Sequence, residues 1–157
     1  MKKIACFVLM VLILTGCSEK PFDSPAASHT ADPCSVEKVT PFLDAADDTL
    51  NRFNQLAQNA DEIPGKDLES IIKEMQVIET EAEDIDLPLC ALKSKAALTS
   101  YMGTLIQGYF RLYSQGISIT PEVAINRSTA EDEFNLAASK LEHYETEREA
   151  LINLVSE

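Results

Sequence analysis

A few groups of side chains in this sequence have types and spacings that chemistry could use. Glu79, Glu83 and Asp86 fall along one side of a helical pattern, and carboxylates so placed could bind a hard cation such as calcium. His143 and Glu147 stand four residues apart, so they could pair or hold zinc. His143 and Met75 could act as axial ligands of a non-covalent haem from facing helices. Tyr101, Tyr109, Phe110 and Tyr113 wrap more than one face of a helix and could line a ligand pocket or a partner surface. Each group has a plainer reading. A row of carboxylates on a helix is usually a solvated face, two ligands are too few for zinc, a methionine on an apolar stripe is packing, and interior tyrosines are core.

The motifs of catalysis are missing. There is no Gly-x-Ser-x-Gly and no phosphate-cradling glycine loop. There is no Cys-x-x-Cys-His for covalent haem, and no pair of Glu-x-x-His motifs for a di-metal bundle. The sequence therefore predicts no catalytic residue, no metal and no cofactor, and a non-enzymatic domain. The alternative is a bundle that binds a small molecule or metal in its interior.

The N-terminal stretch is more specific. Lys2 and Lys3 precede an apolar run from Ile4 to Leu14, and Thr15-Gly16-Cys17 closes it. That order matches the basic, apolar and cleavage regions of a secretory signal, and the run is too short for a stable membrane span of about 20 residues. Leu14-Thr15-Gly16-Cys17 resembles the lipobox of bacterial lipoproteins. The resemblance implies cleavage before Cys17, a diacylglycerol thioether on its sulfur and an acylated (palmitate-type) new N-terminus. Those chains would anchor the protein in a membrane. Ser18, where Asp is the usual inner-membrane retention signal, implies sorting to the outer membrane in a two-membrane organism. The alternative is an ordinary secretory signal in which Cys17 is incidental.

Charge and cysteine count bound the rest. The 157 residues carry a net charge of −13. Removing residues 1–16 takes away two lysines and no acids, so the mature chain stands at −15. So acidic a chain argues against nucleic acid, whose phosphates need a basic face, and against lying flat on anionic lipid. Of the four cysteines, Cys6 leaves with the signal and Cys17 carries lipid. Cys34 and Cys90 remain, and export predicts an oxidising compartment in which an even pair forms a disulfide. Two free thiols or a metal site are the alternatives.

Residues 18–33, SEKPFDSPAASHTADP, show neither strand nor helix periodicity and read as a linker. Its r.m.s. span would be about 20 Å and its maximum about 50 Å. His29 lies within it and is assigned no role.

Four helical patterns follow. The first runs from Ser35 or Thr40 to Asn59, with the stripe Val39, Phe42, Leu43, Ala46, Leu50, Phe53, Leu56, Ala57, Ala60. The second runs from Asp67 to Asp84, with Leu68, Ile71, Ile72, Met75, Ile78, Ala82, Ile85 inward and Glu74, Glu79, Glu81, Glu83, Asp84 outward. The third runs from Pro88 to Ser114 and is ended by Gly116. Between Ala96 and Phe110 only tyrosines ionise, so it is expected to be covered on most sides. The fourth runs from Pro121, or from a capping box at Ser128-Thr129-Ala130-Glu131, to Leu154. Its stripe keeps heptad spacing, broken once by Arg148.

Short connections between four amphipathic helices predict an all-α fold, an antiparallel up-down-up-down four-helix bundle. In that topology the starts of helices one and three share an end, which brings Cys34 and Cys90 together. The linker leaves from that end, and the 60–66 and 115–120 loops lie at the other. The expected division is signal peptide 1–16, lipidated Cys17 and linker 17–33, and bundle 34–157.

The stretch Leu87-Pro88-Leu89-Cys90-Ala91, with Ala96-Ala97-Leu98-Thr99-Ser100-Tyr101-Met102 and Ile106-Gln107-Gly108-Tyr109-Phe110, resembles a module of exported bacterial proteins that carry a second cysteine upstream, as Cys34 stands here. The resemblance implies a disulfide-linked helical domain and no particular activity. The expected function is that of a lipid-anchored interaction domain of the cell envelope. It would sit on the cell or outer membrane, facing the periplasm or exterior, with a protein partner.

Overall fold

The structure, a computed structural model, describes residues 34–117 and 123–156, the side chains of 123–128 excepted. The signal, Cys17 and the linker, including His29, lie outside the described residues. Four helices follow in order: α1 (Val36–Asp61), α2 (Glu69–Asp84), α3 (Leu92–Ile117) and α4 (Val123–Ser156). Short 3-10 turns at Gly65–Asp67 and Leu89–Ala91 lead into α2 and α3. The fold is the expected all-α antiparallel bundle.

Side-chain contacts fix its register. On α3 and α4 the partners converge from both ends: Arg111 bonds Glu133, Gly108 meets Phe134, and Ser100 bonds Lys140. On α2 and α3 they converge likewise, Glu69 with Tyr113 and Glu79 with Gly103. On α1 and α3 they rise together, Asn54 with Tyr101 and Asp61 with Tyr109. Helices one and three are therefore parallel, and each is antiparallel to its neighbours. α3 packs against all three other helices, most closely against α4, as its lack of charge requires.

The α3–α4 seam is a coiled-coil-like contact. Ala130, Ala137, Tyr144 and Leu151 are buried at seven-residue intervals, and Phe134, Leu141 and Val155 pack beside them. Across from them α3 meets Phe134 with Gly108 and Tyr109, Lys140 with Ser100 and Glu133 with Arg111. Small side chains stand opposite large ones. A Cβ on Gly108 would lie 2.5 Å from the Phe134 ring, which is packed edge-on against Tyr109 with centroids 5.1 Å apart. α1 and α2 close the other side with Val39, Phe42, Ala46, Phe53, Leu68, Ile72, Met75 and Ile78.

α3 runs past its expected end, and at α1 and α4 the structure takes the earlier of the two expected starts. α1 starts after Ser35, whose carbonyl accepts from Lys38 and Val39 at 2.9 and 3.0 Å. Pro41 is thus inside the helix on its exposed side, and Val39 is fully buried as its place in the stripe requires. α3 does not stop at Gly116. The missing side chain there admits another backbone: a Cβ would lie 2.3 Å from the Lys66 nitrogen. α4 does not begin at the capping box, because it is already helical from Val123 and meets neither Gly nor Pro through Ser156.

At one end the Cys34–Cys90 disulfide joins the entry to α1 with the entry to α3, Cα atoms 5.9 Å apart. At the other, Gly65 and Lys66 rest on Leu112 and Gly116.

Opening the disulfide with reductant, or by Cys90→Ser, is expected to lower stability by about 4 kcal/mol in the chain-entropy account of a loop this long, with helical circular dichroism kept at low temperature. Thermal melts with and without reductant measure it. Gly116→Ala is expected to cost about 1–3 kcal/mol through the backbone clash despite better helix propensity. Gly103→Ala, which meets only the movable end of Glu79, should be neutral or stabilising in the same melts.

Candidate functional site

The aromatic face of α3 divides in two. Tyr101 and Tyr109 turn inward and are buried. The Tyr101 hydroxyl donates to Asn54 Oδ1 at 2.7 Å, and its ring packs edge-on to Phe53 at 5.8 Å. The single Tyr109 proton is shared between the Ala57 carbonyl at 2.9 Å and Asp61 Oδ1 at 2.8 Å. These two tyrosines fill the interior and pin α3 to α1. Phe110 and Tyr113 turn outward as a tilted pair with centroids 6.4 Å apart. The Tyr113 hydroxyl donates to Glu69 Oε2 at 3.1 Å, and Lys73 bonds the other oxygen of that carboxylate at 2.6 Å. Lys73 first, and Tyr113 second, hold the Glu69 carboxyl below the usual carboxylate range.

Grooves lie on the outer surface. One of about 190 Å³ runs between α2 and α3, lined by Glu69, Ile72, Lys73, Gln76, Phe110 and Tyr113. Another of about 380 Å³ runs between α1 and α2, where the exposed Val77 joins Leu56 and Ile78 on a floor rimmed by Arg52 and Glu74. A third, of about 520 Å³, opens at the disulfide end beside Pro41, Leu87, Pro88 and Leu89.

The polar side chains that reach across helices are structural. Arg148 sits in the α4 seam and turns to α1, where Nε donates to Asp47 Oδ1 at 2.8 Å and the second nitrogen bonds Oδ2. A charge in an otherwise apolar heptad position is thereby neutralised by a two-pronged carboxylate contact. The buried Tyr144 hydroxyl has no well-aligned hydrogen-bond partner beside this pair, and burial pushes its pKa to about 12. Arg52 bridges α1 to Glu81 of α2 at 2.7 Å.

The candidate ligand sets do not assemble. Among the described residues no group of three His, Cys, Asp or Glu is placed to hold a metal. Glu79 is not on the outer face: its Oε1 lies where a Cβ of Gly103 would be, 2.7 Å away. Burial first, and the Glu83 charge second, raise its pKa. Met75 is fully buried on α2 while His143 is exposed on α4, so they do not form an axial pair. Sequence reasoning missed three features: the Arg148–Asp47 contact, the glycine contact at the far end, and the inward turn of Glu79. Arg148 alone left a signal, as a cation in an apolar heptad.

The chain matches no protein-family model, no curated protein and no solved structure. Among the described residues no helix is long and apolar enough to cross a membrane.

Two pH effects follow. Burial raises Tyr101 and Tyr144 to about 12, and Tyr109 higher still, with Asp61 adding to the last. In the unfolded chain a phenol titrates near pH 10, so the folded state binds more protons between the two values. Stability is expected to be intact below pH 10 and to fall as pH rises through 12. Urea midpoints against pH check this, and Tyr109→Phe should itself cost about 1 kcal/mol at neutral pH. For Glu79 the raised value gives stability present below the unfolded pKa and lost as pH rises through the folded one. Glu79→Gln should remove that loss, raising neutral-pH stability by a few tenths of a kcal/mol after solvent screening.

Proposed function

We propose that this chain is an exported lipoprotein, anchored through acyl chains on Cys17, whose helical bundle acts as a non-enzymatic interaction domain on the cell envelope. The anchor reading rests on the Leu14-Thr15-Gly16-Cys17 sequence. The disulfide between Cys34 and Cys90 supports export, because such bonds persist in oxidising compartments.

The interaction reading is carried by one observation. Two of the α3 tyrosines that could have lined a ligand cavity, Tyr101 and Tyr109, are used to fill the core, with Leu98 and Met102 beside them, all buried. The apolar side chains left over are on the outside. Val77 and Phe110 are exposed on either side of α2, each in a groove with buried or half-buried neighbours. Such grooves suit a partner side chain better than an enclosed small molecule. A ligand in the interior would have to displace that packed core, which weighs against the small-molecule or metal alternative.

Two measurements test the reading. Metabolic labelling with palmitate should mark the wild-type protein and send it to the membrane fraction, while Cys17→Ser should be unlabelled and leave that fraction. Chemical cross-linking in intact cells should give a discrete adduct with an envelope protein. Val77→Glu or Phe110→Glu, with an unchanged melting curve, should reduce it at least several-fold. An unlabelled wild-type protein sinks the anchor, and adducts indifferent to both substitutions sink the α2 face as partner surface.

A further inference from the structure

The large aliphatic side chains left in solvent are not scattered evenly. Four of them stand at the disulfide end: Val36 at 54% exposure, Leu89 at 73%, Leu92 at 54% and Leu154 at 55%. They arrive from separate segments, and the fold gathers them. Val36 is two residues from Cys34, and Leu89 and Leu92 flank Cys90, so the disulfide draws these three together. The α3–α4 register set by Arg111 with Glu133 and Ser100 with Lys140, carried to the last turn of α4, puts Leu154 level with Pro88 and Leu89. Half-buried Leu87, Cys90 and Val155 continue the apolar surface inward. Two exposed lysines, Lys38 and Lys93, stand at the same end, as do the acids Glu37 and Asp86.

We propose that this end of the bundle is a foot that seats in the interfacial layer of the bilayer, aliphatic side chains among the upper acyl chains and Lys38 and Lys93 among the lipid phosphates. The proposal rests on the reading of Cys17 as lipidated. What names the bilayer as occupant is where the outside chain attaches. Sixteen residues separate Cys17 from Cys34, and Cys34 is at this end. On the linker reading of its sequence, a segment of that length would span about 20 Å r.m.s., and sites so joined meet at an effective concentration of about a millimolar. A contact too weak to recruit the domain from solution is then largely occupied. End-on seating also suits the charge. The exposed acids further along α2, Glu74 and Glu81, stand away from an anionic surface that would repel them lying flat, while Glu83 and Asp84 close α2 near the foot.

The absence of tryptophan from the sequence makes the test direct. Full-length acylated protein carrying Leu89→Trp, Leu154→Trp or the opposite-end control Ile117→Trp (57% exposed in the wild type) is reconstituted into phosphatidylethanolamine–phosphatidylglycerol vesicles whose acyl chains are brominated near the headgroup. Flotation of the same samples reports anchoring. The expected result is co-flotation of all three, with fluorescence at positions 89 and 154 blue-shifted and quenched about two-fold while position 117 is unaffected. Co-flotation with equal, weak quenching at all three positions overturns the foot and leaves the anchor standing. A blue shift at 89 and 154 without bromine quenching overturns it in favour of a protein covering that end, a second copy if the shift grows with protein density. Failure to float removes the anchor reading, and the foot with it.

Discussion

The register of α3 against α4 is the constraint on which the rest of the molecule depends. α3 carries almost no charge along its middle, so it has to be enclosed. The heptad stripe of α4 supplies one long wall for it. Gly108 under the Phe134 ring holds that wall close, because any larger residue would push the helices apart or force the ring off its packing on Tyr109. Once this pair is aligned, the other levels follow. Tyr101 and Tyr109 reach α1 at Asn54 and Asp61, Arg148 reaches α1 at Asp47, and Gly65 settles on Leu112.

Polar contacts mark places where apolar packing alone would leave the alignment loose. A greasy stripe slides by a heptad at modest cost, whereas a guanidinium that finds its carboxylate at one level only does not. Arg148 on Asp47 and Tyr109 on Asp61 therefore act as register pins between α1 and the α3–α4 pair. The chain is strongly acidic, yet most cross-helix polar contacts pair an acid with a cation or a phenol. Among the described residues the other acids, the inward-turned Glu79 excepted, stand largely in water, where repulsion between them is screened.

Much of the fold was legible in the sequence because helical periodicity reports which side of each helix is apolar. Every member of the α2 stripe from Leu68 to Ala82 is buried as its spacing requires. The topology followed from short connections and agrees with the cysteine positions. Periodicity says nothing about a neighbour's height, and that is where the reading fell short. Glu79 belongs to the polar side of α2 by rotation, but Gly103 leaves a notch at its level into which the carboxylate turns. Gly116 looked like a terminator because glycine ends helices more often than it admits another backbone. The candidate site was less legible than the fold. Tyr101 and Tyr113 are alike in type and lie on one helix, and only the position of α1 and α2 separates the buried one from the half-buried one at the surface.

The sulfur bridge also decides how the molecule answers to mechanical load. Any pull on the chain ahead of Cys34 meets a fork: one path leads into α1, the other crosses the bridge to Cys90 and the start of α3. The crossing is covalent and short, so tension enters the central helix and spreads into its seam with α4. α1 and α2 lie within the closed loop between the two cysteines, 56 positions apart in sequence, and are shielded from the force. Without the bridge, the same tug would peel α1 from its end, one turn at a time.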